Sequence, residues 1–149
     1  MNIMSYFQTH IGELSEGLLT RIKEAEISQT VFFEAGPELI AESPDDFVVV
    51  TYPLMLRNKG PFQLHQVRVE FVRKDLPTKR TDVKGLEAMA NKWLALFPLH
   101  FGRFTLTDPY VRMKGKDELG HSSWTVQCDC MVDTTDLYIT TDDGSTATQ

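Results

Sequence analysis

Cys128 and Cys130, one residue apart, are the first place to look for chemistry in this chain. Such a pair is half of a thiolate metal site, but the chain holds no other cysteine. Its four histidines, His10, His65, His100 and His121, stand far off in sequence. In an extended strand both thiols point to one face, where they are poorly placed to bridge each other, and the reading is two buried free thiols. The carboxylate pairs Asp45-Asp46, Asp117-Glu118 and Asp142-Asp143 fall in turn-like or tail-like contexts. A general acid and base need burial to tune their pKa values, so these pairs read as solvated. His65 alternates with Val67 and Val69, which reads as a core or rim histidine. There is no glycine-rich phosphate loop, Gly-x-Ser-x-Gly elbow or His-Glu-x-x-His helix. The expectation is therefore no enzyme: no catalytic, cofactor-binding or metal residue, and no cofactor.

Basic residues offer a second chemistry. Arg73, Lys74, Lys79 and Arg80, with Arg112, Lys114 and Lys116, have the makings of a phosphate-binding patch. Against this, the net charge is −6, and the basic stretches lack the interleaved aromatics that stack bases. A solvated or protein-contacting loop is the preferred reading. The charge is also divided along the chain. Residues 1–46 carry nine acids against Arg21 and Lys23, residues 47–116 carry thirteen bases against five acids, and residues 117–149 carry seven acids and no base. Folding either mixes these signs or leaves surfaces of opposite charge suited to contacting sister copies.

The elements that must position these residues emerge from periodicity. From Gly60 to Trp93 the hydrophobic period changes from two to about three and a half. His65, Val67, Val69 and Phe71 alternate with Gln66, Arg68 and Glu70, a strand with one dry face. Val83, Leu86, Ala90, Trp93 and Phe97 then line one side of a helix, capped by Thr81 or Asp82 and stopped by Pro98. An earlier stripe of Ile3, Phe7, Ile11, Leu14, Leu18, Ile22 and Ala25 predicts a long helix over 3–27, weakened by Gly12 and Gly17. Strands are expected at Thr30–Phe33, Phe47–Tyr52 and onward through Leu54–Leu56, Arg103–Thr107, Tyr110–Met113 and Trp124–Val132, with a turn at Asp108-Pro109. Asn58-Lys59-Gly60-Pro61 reads as the tip of a long hairpin that projects past the body and presents Arg57 and Lys59.

A chain of 149 residues, 42% hydrophobic and 24% charged, is the size of one globular domain. No run is long and apolar enough to span a membrane, and the first residues do not look like a secretory signal, so cytoplasmic synthesis is expected. The expectation is a single α+β domain over 1–135, with a mixed or antiparallel sheet of about five strands covered by two main helices. Residues 136–149 are expected to form an acidic, flexible tail.

One resemblance goes further. The run Gly60-Pro61-Phe62 through Val67-Arg68-Val69-Glu70-Phe71-Val72-Arg73, then Ala88 to Phe97, Tyr110-Val111-Arg112-Met113, Lys116 to Gly120 and Trp124 to Cys130 resembles the tail terminators, or tail completion proteins, of long-tailed bacteriophages. These include a group called minor capsid proteins. The likeness spans about Val31 to Asp133 and is one of pattern. It implies a structural virion protein that forms a homo-oligomeric, six-membered ring on the tail tube, stops tube growth and provides the head-tail joining surface. The implied partners are sister copies, the tail tube protein and the head-tail connector, with genome DNA passing through unbound and no membrane. The implied location is the virion tail or neck, and the host cytoplasm during assembly. Under this reading Arg57, Lys59, Arg73, Lys74, Lys79 and Arg80 contact a neighbouring subunit or the tube. Reversing Arg73, Lys74, Lys79 and Arg80 to Glu is expected to leave the fold intact and abolish capping. Another neck or connector protein is an alternative, and a small dimeric α+β ligand-binding domain is another.

Overall fold

The computed structural model describes residues 10–34, 44–52, 56–116 and 120–135. The elements in chain order are α1 (Ile11–Glu24), β1 (Val31–Phe33), β2 (Asp46–Thr51), β3 (Leu56–Asn58), β4 (Phe62–Lys74), α2 (Val83–Leu94), β5 (Leu99–Phe101), β6 (Phe104–Lys116) and β7 (His121–Asp133). All the described strands join one sheet, with β1-β2-β4-β7-β6-β5 as its main order and β3 beside β4. β4 and β7 pair along their whole length, from Phe62 opposite Asp133 to Lys74 opposite His121. The other edge of β4 is shared: β2 takes Arg68 to Arg73 and β3 takes Gln63 to His65. Only β1 beside β2 runs parallel, which makes the sheet mixed.

This corrects the expected α+β fold with about five strands. Among the described residues the fold is mostly β, 48% strand, with a sheet of six to seven strands curled into a half-barrel and only two helices. The count fell short partly because β3 and β5 are three residues each, too short to show an alternation. The Asp108-Pro109 turn is likewise corrected. β6 runs straight through it as one strand, with register shifts between Thr107 and Tyr110 and again between Met113 and Lys116. Turn chemistry there makes a bulge, with Asp108 at φ 55°. The hairpin tip does not project either. Phe62 is paired with Asp133, and the Thr134 amide donates to the Pro61 carbonyl at 2.8 Å, so the residue after β7 holds this end down.

One face of the sheet is dry. Val48, Val50, Val67, Val69, Phe71, Val126, Cys128 and Cys130 form one core with Leu14, Leu18 and Ile22 of α1 and Leu86, Met89, Ala90 and Trp93 of α2. Three buried aliphatic side chains at roughly 2 kcal/mol each outweigh the roughly 2 kcal/mol that Gly12 and Gly17 cost α1. Gly17 also has a use, since a Cβ there would collide with the Phe101 ring. On the opposite face Phe47, Val49 and Val72, with Phe32 against them, make a small second cluster. The helix predicted over 3–27 is observed as Ile11–Glu24. Residues 1–9, 53–55 and the expected tail at 136–149 lie outside the described residues.

Candidate functional site

Where β4 ends, its last residues, the loop after it and the start of α2 enclose an open basin of about 760 Å³. Arg73, Lys74, Asp75, Lys79, Asp82 and Lys116 all line it, so the basic loop read from the sequence does form a wall. Most of that charge is consumed internally. Arg73 Nε donates to Asp82 Oδ2 at 2.9 Å and Nη1 to Asp46 Oδ2 at 3.4 Å. The other oxygen of Asp82 accepts the Gly85 amide at 2.9 Å, which makes Asp82 the predicted cap of α2. That amide first, and then Arg73, hold the Asp82 carboxyl below its usual range against the opposing cost of burial. One guanidinium therefore ties the end of β4 to the start of β2 and the first turn of α2. Gly85 is required for this, because a Cβ there would run into Arg73 Nε and Asp82 Oδ2.

A second set lies beside the first. Lys116 Nζ stands 3.5 Å from Asp75 Oδ2 and also donates to the Lys79 carbonyl. Ser122 Oγ donates to Asp75 Oδ1 at 2.6 Å and lies 3.1 Å from Thr81 Oγ1. What is left over is Lys74, Lys79 and Arg80, exposed and with no ion partner among the described residues. The six residues singled out from the sequence thus fall into three sets. Arg73 is a structural clamp, and Lys74, Lys79 and Arg80 are unspent cations on one loop. Arg57 and Lys59 sit at the far end of β4: Arg57 is in register with Leu64, ten residues and about 33 Å from Lys74. The four-residue reversal expected to leave the fold intact therefore includes one residue that holds it.

The other candidates are accounted for by burial. Cys128 and Cys130 are free and enclosed in the core, and burial pushes the Cys130 thiol up to about 12 and Cys128 further still. Neither is a thiolate at neutral pH. His65 is fully buried, with Nε2 3.2 Å from Gln63 Oε1, and burial first, then His10, pushes the imidazole down to about 4. It is neutral at pH 7. His121 is the first residue of β7 and lies buried beside Phe47, with ring centroids 6.1 Å apart. Asp46 is occupied by Arg73 and Ser28; Asp117-Glu118 and Asp142-Asp143 lie outside the described residues. Among the described residues no group of three or more His, Cys, Asp or Glu is arranged to hold a metal ion. No described helix is long and apolar enough to cross a membrane.

Sequence reasoning passes over one surface. Val111 and Met113 of β6, on one face at the rim of the sheet, are 36% and 71% exposed, and Tyr110, on the other face beside Arg112, is 48% exposed. Their alternation reads as an ordinary strand, and nothing in it marks them as surface. The sequence matches no family model, and no curated protein matches it.

Proposed function

We propose that this chain is a structural virion protein, a tail terminator that forms a ring on the end of a phage tail tube, stops its growth and provides the surface for head joining. The observation that carries this reading is a molecule with two unlike exposed patches: Val111 and Met113 on one face of β6, and a loop whose cations Lys74, Lys79 and Arg80 have no ion partner among the described residues. A ring needs heterologous contacts between different patches, and a partner with a charged rim needs cations that are not already spent. The pattern shared with tail terminators supplies the particular assembly; a different neck or connector protein uses the same surfaces.

A small ligand-binding domain is the rival reading, favoured by the size of the basin, which lies in the range of ligand pockets. Its paired charges count against it, since an entering ligand must first compete with Asp82 and Asp75. Electron micrographs of the purified chain, alone and with tail tubes, separate the two. Rings with a central hole, or tubes capped at one end, are expected. A compact particle that leaves tube ends growing, and that melts higher with inorganic phosphate, overturns the terminator reading in favour of the binding domain.

A further inference from the structure

The two rims of the sheet are unlike in sequence yet stand at the same level. β5 covers only Phe104 to Leu106 of β6, so Tyr110 to Met113, a regular stretch between two register shifts, has no strand beside it on that edge among the described residues. At the other rim β1 has β2 on one side and no strand on the other among the described residues. The Val48 amide donates to the Thr30 carbonyl and the Glu34 amide to the Val50 carbonyl, so Thr30, Phe32 and Glu34 face β2. The amides and carbonyls of Val31 and Phe33 point outward. Across the sheet, the registers place Val31, Val48, Phe71, Trp124 and Met113 in one row. Phe33, Val50, Val69, Val126 and Val111 form another, with Phe32 and Arg112 closing the row between them.

From this we infer that β6 of one copy pairs antiparallel with β1 of the next, continuing the sheet from subunit to subunit. The inference rests on the ring reading and names the contact that reading leaves open. Joined at one level, Met113 meets Val31 and Val111 meets Phe33 on the face where Val31 and Phe33 already touch the main core. Two exposed apolar side chains are thereby covered by two half-buried ones. On the opposite face the Arg112 guanidinium lies beside the Phe32 ring, and the exposed Glu34 carboxylate stands diagonally across from it. A symmetric pairing of β6 with β6 centred on Arg112 sets the two guanidiniums against each other, and any other centre gives Arg112 neither the Phe32 ring nor the Glu34 carboxylate. The contact is heterologous, so repetition closes a circle or grows a filament.

Two variants of the full chain test this. Met113→Lys changes a side chain that is 71% exposed, so folding is retained. Association measured by sedimentation is expected to weaken by about tenfold or more. The double variant Val31→Cys/Met113→Cys, oxidised under assembly conditions, is expected to give a ladder of covalent dimers, trimers and higher species. The native Cys128 and Cys130, 1% and 0% exposed, stay out of the reaction. Rings that persist in Met113→Lys and show no ladder in the double variant overturn the edge contact and leave the terminator reading standing. A ladder without capping of tubes supports the edge contact and removes the terminator reading. Dimers from Met113→Cys alone show β6 meeting β6 and overturn the inference. A chain that stays monomeric and forms no ladder overturns both.

Discussion

At the Lys74 end of β4, ionised side chains meet on a half-wet rim, where Arg73 is 30% and Asp82 16% exposed. At the Phe62 end, Gln63 and His65 are enclosed almost completely, 1% and 0% exposed, and remain uncharged. The same strand thus handles polar groups in two ways. Where water reaches, it spends charge on holding elements together; where water is shut out, it keeps a base in its neutral form. The lesson concerns availability. A cation in the sequence is a contact residue only after the fold has taken what it needs, and Arg73 is taken while its neighbour Lys74 is not.

The largest effect that tests this contrast is its dependence on pH. The buried His65 titrates at about 4 in the fold against 6.5 when free, so between those values the unfolded chain binds more protons. Stability from this end is complete above pH 6.5 and drains away as pH falls toward 4, by on the order of 3 kcal/mol. Urea titrations across that window are expected to show the loss, and His65→Phe is expected to flatten it. An unchanged slope in the variant would place the pH dependence elsewhere.

A smaller change sharpens the opposite end. Gly85→Ala drives a methyl into the Arg73 clamp and is expected to cost about 1–3 kcal/mol by overpacking. In an Arg73→Ala background part of that cost should vanish, because one of the two side chains it collides with has gone and the other, Asp82, is released from the guanidinium. Additive costs in the double-mutant cycle would mean that the clash and the clamp are separate. The smallest effect belongs to the leftover cations. Lys74→Glu/Lys79→Glu/Arg80→Glu is expected to move unfolding by no more than about 0.5 kcal/mol while abolishing tube capping. A melting temperature that falls with it would show that these side chains, too, are spent on the fold.

Much of the architecture was legible where a pattern ran long enough. The alternation of His65, Val67, Val69 and Phe71 and the stripe of Leu86, Ala90 and Trp93 reappear as buried faces, as do Leu14, Leu18 and Ile22. What escaped reading was short or ambiguous. Leu99-His100-Phe101 is one alternation long, and a three-residue strand cannot be told from a loop. Asp108-Pro109 has the chemistry of a turn, and only the paired strand alongside decides that it is a bulge. Of the candidate site, the basic loop and the capping Asp82 were visible, but not the ion pairs that neutralise the loop. Asp46 lies 27 positions before Arg73 and Ser122 lies 47 after Asp75, separations at which sequence spacing carries no distance.

Among the described elements β7 comes last in the chain, yet it lies in the middle of the sheet, between β4 and β6. A ribosome therefore makes six strands before it makes the one that joins them. At ordinary synthesis rates the full thirteen-residue rim of β4 waits about 3 to 12 s for its partner. During that interval it is a bare template for any passing strand. Completion is a single late event, and a nascent chain cut short before His121 holds two half-sheets with nothing to weld them.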